Sequence, residues 1–200
     1  FYAVAPFTGG WSVKTGTEPT EAGATLSFTT ADGTQDLLYA SIVERQGEGS
    51  GNEAVAFTFK HILSKVKFSF KNDYNATGAK IQVRDVKIND AYSTGNVVLA
   101  DANTTWSAQN GTLLLNFGNA ATTAVNAEQP IDYLSTVESY NELLMIPGAG
   151  PAEVDGKKTY TVTFIVDLII GDSVVKSYNH TINAEFAPVA GNSYNLTATI

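Results

Sequence analysis

Few side chains in this 200-residue sequence are suited to acid–base, nucleophilic or metal chemistry, and their spacing argues against each use. His61 and His180 are the only imidazoles, and cysteine is absent. Zinc needs several such ligands at spacings that bring them onto one face, and neither histidine has a companion of that kind. Each is expected as a strand residue satisfied by a local hydrogen bond. Asp32-Gly33-Thr34-Gln35-Asp36 begins like a calcium loop. It lacks the D-x-[DN]-x-[DN]-G order and the distant Glu that complete the oxygen cage, so Asp-Gly predicts a turn. The carboxylate pairs Glu138/Glu142 and Asp167/Asp172 are the remaining acid–base candidates. That role requires a cleft that drives two pKa values apart, and the neighbouring residues supply none. Solvated carboxylates are the expected state. No G-x-S-x-G nucleophile turn, phosphate-binding G-x-x-x-x-G-K-[ST] or dinucleotide-type G-x-G-x-x-G is present. The residues predict no catalytic site, no metal and no cofactor.

Binding chemistry has more material. Trp11, Tyr74, Tyr92, Trp106, Tyr133 and Tyr140 fall in or near expected loops, where aromatic faces stack on sugars. The same residues cap the corners of β-sandwiches, which is the commoner use. Five Asn-x-Ser/Thr triplets, at Asn75, Asn103, Asn110, Asn179 and Asn195, arise by chance in a chain so rich in Asn and Thr.

The elements that must position these residues are strands. Ala54–Lys71, AVAFTFKHILSKVKFSFK, alternates apolar with polar and changes parity across Ile62-Leu63-Ser64. A period of two means one buried and one wet face, so two strands in antiparallel sheets are expected, with Phe57, Phe59, Val66, Phe68 and Phe70 buried. Ile81–Val83 and Val86–Ile88 change parity across Arg84-Asp85, which predicts a bulge. Leu113–Leu115 and Leu143–Ile146 read as buried strands, the latter stopped by Pro147-Gly148. Tyr160, Val162, Phe164, Val166, Leu168 and Ile170 form one alternating face. Gly171-Asp172 then predicts a two-residue hairpin with Ser173–Ala184 returning. Tyr194, Leu196, Ala198 and Ile200 alternate in the last strand. Gln46–Asn52 and Gly118–Val137 read as loops, and only Ser135–Leu144 has helix potential. The fold class is therefore all-β. Two antiparallel β-sandwich domains are expected, an N-terminal one over residues 1–100 and a C-terminal one over 101–200, with the boundary near Leu99–Trp106.

Charge and length exclude some functions. The net charge is −8, and only Arg45 and Arg84 of the twelve basic residues are arginine. A chain without an electropositive footprint does not neutralise phosphates, so nucleic acid is not an expected partner. A chain of this length buries roughly 70% of its unfolded surface, enough for a core without disulfides. No apolar run reaches the ~18 residues of a membrane helix. Phe1–Pro6 reads as the middle of a strand, which predicts further residues upstream, including the first strands of the N-terminal sandwich.

Four segments together resemble the fimbrillin-like proteins of Bacteroidales, the Mfa/Fim subunits of type V pili and related surface lipoproteins. They are Asp36–Ala40 (DLLYA), Phe57–Val66 (FTFKHILSKV), Leu144–Pro147 (LMIP) and Gly191–Ile200 (GNSYNLTATI). The resemblance implies a non-enzymatic cell-surface, outer-membrane-associated pilus subunit that contributes to adhesion. It implies export as a lipoprotein whose lipid-bearing Cys lies upstream of Phe1, and assembly with other pilin subunits by donor-strand exchange. The acceptor is expected at an unpaired edge of the N-terminal sheet. Because the sequence closes on its last domain strand, it is more similar to a tip or accessory subunit than to a stalk subunit. A monomeric surface lipoprotein that binds glycan or host protein through its loops is the alternative. Asp172-Ser173-Val174, the sole Asp-Ser/Thr-aliphatic triplet, resembles the O-glycosylation signal of that phylum and marks Ser173.

Overall fold

Alternation of apolar and polar residues builds the longer strands of the computed structural model. The structure describes residues 3–6, 11–14, 25–40, 54, 56–98, 106–118, 136–138, 141–148, 153–154 and 157–200. Among them there are sixteen strands and no helix. The first eight are β1 Ala3–Ala5, β2 Trp11–Lys14, β3 Thr25–Thr29, β4 Leu38–Ala40, β5 Phe59–His61, β6 Ser64–Lys71, β7 Ala79–Ala91 and β8 Thr94–Val98. The others are β9 Trp106–Asn110, β10 Leu113–Asn116, β11 Thr136–Glu138, β12 Leu143–Met145, β13 Glu153–Val154, β14 Lys157–Ile170, β15 Ser173–Phe186 and β16 Ser193–Thr199.

The larger core lies between two sheets. One has the order β10-β7-β14-β15, with β13 pairing the start of β14. The other is centred on β6, which carries β16 in parallel along one edge and both β11 and β12, antiparallel, along the other. Val66, Phe68 and Phe70 of β6 point into this core against Val83, Ile88, Leu115, Tyr160, Val162 and Phe164. Phe68 meets Phe117 edge-on at 4.8 Å, and Phe70 meets Phe164 at 5.4 Å. The smaller core lies between β1-β4-β5 and β2-β3-β8-β9. It gathers Leu26, Phe28, Leu37, Tyr39, Ile62, Leu63, Val97, Trp106 and Ile146.

Strand pairing crosses the boundary expected near residue 100. β6 pairs with β16 from Ser193 to Thr199, and β7 pairs with β14. Each core therefore draws on both the 1–100 and the 101–200 halves. Alternation reports which face of a strand is buried and carries no information on which strand lies beside it.

The hairpin and the bulge form as expected. Gly171 takes φ 62 at the first central position of the turn, and Ile170 pairs with Ser173. The register between β7 and β14 slips between Thr163 and Ile165, opposite Asp85 at φ 56. The expected burial of Phe57 and Phe59 fails, and the alternating face of β14 breaks at its end. Phe59 is 44% exposed and Phe57 half-buried, because β5 is a three-residue strand at the edge of the smallest sheet. Ile170 is 53% exposed and Leu168 half-buried, because a second bulge between Leu168 and Ile169 turns Ile169 inward instead. Within Ser135–Leu144 the described residues include the strand β11 and the start of β12 rather than a helix. Val55, the Gln46–Asn52 loop, most of the Gly118–Val137 loop and residues 99–105 of the expected boundary lie outside the described residues.

Candidate functional site

The four sequence segments that carry the resemblance meet at one place, the joint between the two cores. β4 and β5 pair Leu38 with His61 and Ala40 with Phe59, and Ile62 N–H donates to Leu37 C=O at 3.1 Å. The chain then buries Ile62 and Leu63 in the smaller core and enters the larger one as β6. The turn before β16 clamps this crossing. Gly191 N–H donates to Leu63 C=O at 2.9 Å, Lys65 N–H to Asn192 C=O at 2.9 Å, and the Ser64 hydroxyl to Val189 C=O at 2.8 Å. Trp106 Nε1–H donates to Ile62 C=O at 2.8 Å. Leu144 N–H donates to Gly33 C=O at 2.7 Å. Gly33 has φ +74, and a Cβ there would fall 2.7 Å from Leu144 C=O, so only glycine suits the contact.

A shallow cavity of about 370 Å³ opens over this joint, lined by Thr34, Asp36, His61, Lys65, Glu142 and Asn192 among others. Its charges are paired within it. His61 Nδ1 lies 2.6 Å from Asp36 Oδ2, and Lys65 Nζ donates to Glu142 Oε2 at 2.7 Å. The Lys65 hydrogen bond and its charge hold the Glu142 carboxyl below its usual range. A carboxylate held ionised and already hydrogen-bonded is a poor general acid. These residues hold the joint together.

The other candidates are dispersed. Asp32 Oδ1 accepts from Thr34 N–H at 2.9 Å and from its hydroxyl at 2.7 Å, the closed turn that Asp-Gly predicts. Asp167 lies buried against Arg84, whereas Asp172 sits on the exposed hairpin tip beside Ser173. His180 is half-buried and stacks flat on Phe164 at 5.2 Å. Trp106 is a core residue, Tyr92 packs on the smaller core and Tyr74 is 46% exposed. Tyr133, Tyr140, and the side chains of Trp11 and Glu138, lie outside the described residues. No group of three or more metal-capable side chains forms among the described residues.

The apolar surface left open lies elsewhere. Ile170, Val174, Val175, Tyr178 and Ile182, all on the β14–β15 hairpin, are 39–53% exposed. On the facing sheet, Tyr194, Leu196, Ala198 and Ile200 pack against the larger core yet stay half-buried. Phe186 bridges the two rows, meeting Tyr160 at 4.9 Å and Tyr194 at 5.5 Å. Among the described residues β16 pairs only with β6 and β15 only with β14, so both strands are edges on the same side of the larger core. The expected acceptor edge in the N-terminal sheet is by contrast bounded by β1 and β5, each of three residues. Sequence reading treated Ser173–Ala184 as an ordinary returning strand. Its signal of openness is Lys176 and His180 interrupting the inward row, where Tyr160–Ile170 of β14 has no interruption but a bulge.

The model of the fimbrillin-like family matches residues 1–200. The chain belongs to the fimbrillin-like family. Two solved structures share its fold. A fimbrial protein from Bacteroides vulgatus superposes with TM-score 0.65 at 15% identity, over all of this chain and 72% of that one. A protein assigned to cell adhesion from Bacteroides uniformis gives 0.53 at 19% identity, over all of this chain and 66% of that one. No curated protein matches. This fimbrillin-like protein is structural rather than enzymatic, of the cell-surface class of pilus subunits.

Proposed function

We propose that this fimbrillin-like protein is a tip or accessory subunit of an outer-membrane-associated pilus, exported as a lipoprotein, that contributes to adhesion and assembles with other pilins by donor-strand exchange. The observation that carries the reading is the open side of the larger core. The free edge of β16 offers main-chain donors and acceptors, and the inward row of β15, Tyr178 and Ile182 included, has too little above it. A strand laid beside β16 with apolar residues at alternate positions satisfies both, the chemistry of β-strand addition. The row of Tyr194, Leu196 and Ala198 on β16 packs on its own core, so β16 lies on the acceptor side of this exchange.

The test is to add a synthetic pilin donor peptide and follow thermal unfolding. At about 100 times its dissociation constant such a peptide stabilises by ~2.7 kcal/mol. For a protein of this size that raises the melting temperature by roughly 5–10 °C. No shift at saturation removes the acceptor role and leaves a monomer that binds glycan or host protein through its loops.

Ser173 is proposed as the O-glycosylation site. It is exposed at the hairpin tip, between exposed Asp172 and Val174. Mass spectrometry of protein from its native host should find the modified peptide, and a bare Ser173 refutes the assignment.

A further inference from the structure

His180 stands in the middle of the row that a donor strand covers. It lies on the inward face of β15 between Tyr178 and Ile182, which are 43% and 39% exposed, and is itself half-buried. One face of its ring lies flat on Phe164, with 16° between the planes. Its ring nitrogens have no hydrogen-bond partner among the described residues, so the local bond expected of a strand histidine is not made. The surroundings are poor in charge. The inward rows of β14, β6 and β16 are apolar apart from Tyr160, Tyr194 and Lys158, all at the Phe186 end. On β15 itself, Lys176 sits over the Tyr178 ring at 4.8 Å. The carboxylates of the hairpin are turned elsewhere. Asp167 faces Arg84 and Ser177, Asp172 is exposed at the tip, and exposed Glu185 pairs with Thr159. Beyond the end of β6, exposed Asp73 donates its N–H to Ile200 C=O at 2.6 Å.

We propose that His180 makes strand addition at this face dependent on pH, the neutral imidazole admitting the donor strand and the protonated one opposing it. This dependence rests on the acceptor role proposed above. A strand beside β16 that covers Tyr178 and Ile182 also covers the imidazole between them. Covering takes water from the open face of the ring. A neutral imidazole held between Phe164 and an apolar donor side chain packs as other aromatic rings do, at modest cost. An imidazolium loses its hydration and finds neither a carboxylate nor a hydrogen-bond acceptor in exchange, and such burial disfavours the charged form. Lys176, on the same row, adds like charge rather than compensation. The covered state therefore holds fewer protons than the free protein over the range in which imidazoles titrate, around pH 6.5. By linkage, affinity for the donor strand is full above that range and falls as pH drops through it.

The experiment uses the full chain and a synthetic pilin donor peptide with blocked ends and no histidine or carboxylate side chains. Its dissociation constant is read by titration calorimetry. Binding should be roughly tenfold weaker at about pH 5.5 than at about pH 7.5, since only about one imidazole in ten is still neutral at the lower value. His180→Phe keeps the flat stack on Phe164 and takes no proton, so its two constants should agree. His180→Gln should behave alike and serves if the added phenylalanine impairs folding. His61→Gln, at the joint and outside this row, should keep the ratio of the wild type. Equal affinity of the wild type at both pH values, or the same loss in both His180 variants, overturns the proposal while the acceptor role stands. No binding at about pH 7.5 removes the acceptor role, and the pH dependence with it.

Discussion

Phe68→Ala is expected to remove about 3–5 kcal/mol of folding free energy, the usual cost of truncating a buried phenylalanine. For a protein of this size the melting temperature falls by roughly 6–20 °C. Phe68 is 3% exposed on β6, the strand flanked on both edges. Its ring stacks along Phe70 at 6.1 Å and meets Phe117 edge-on at 4.8 Å, so truncation opens a cavity that its neighbours cannot close without leaving their own strands. Phe59→Ala is the internal control. Phe59 has the same alternating context in sequence but is 44% exposed on an edge strand, and its loss should cost under about 1 kcal/mol. Denaturant unfolding of both variants checks the pair, and equal costs would contradict the assignment of β6 to the core.

Asp167→Ala is expected to cost about 3 kcal/mol at neutral pH, the lower end for a broken buried ion pair. Asp167 is 4% exposed and receives Arg84 Nε–H at 2.7 Å and a second guanidinium contact at 3.3 Å. The cost is moderated because the Arg84 side chain is 31% exposed and also reaches Asp85 at 3.3 Å. Burial alone pushes the Asp167 carboxyl up, but hydrogen bonds from Arg84 and Ser177 and the Arg84 charge outweigh it and hold it below its usual value. A folded pKa depressed in this way contributes stability that is fully present above the unfolded carboxylate value of about 3.9. That stability is lost as pH falls through the folded value. The stability gap between the wild type and Asp167→Asn should therefore be widest near neutrality and narrow below about pH 4. A gap that persists unchanged into strong acid would show that the charge of Asp167 is not its source.

Several features of the fold were legible because they are local. The Gly171-Asp172 turn needs only a residue that tolerates positive φ between two alternating runs. The bulge at Arg84-Asp85 shows as a change of parity between Val83 and Val86. Inward-facing Phe68, Phe70, Tyr160, Val162 and Phe164 follow from a period of two. The joint residues Asp36, His61, Ser64 and Gly191 stood out as family segments, although their hydrogen bonds could not be read from spacing.

What the tertiary structure alone decided was neighbourhood. The Ser69 hydroxyl of β6 donates to Asn195 Oδ1 at 2.9 Å, and no pattern within a strand encodes a contact at that separation. The same limit explains why Phe59 was expected inside. Alternation fixes the sign of a face, and burial depends on what another part of the chain lays against it. Composition and motif spacing were sufficient to predict an all-β chain without catalytic chemistry, since those properties depend on residue types and local periods. The open edge at β16 and the exposed inward row of β15, on which the proposed strand addition rests, exist only because β6 and β14 already have all the neighbours that the described chain provides.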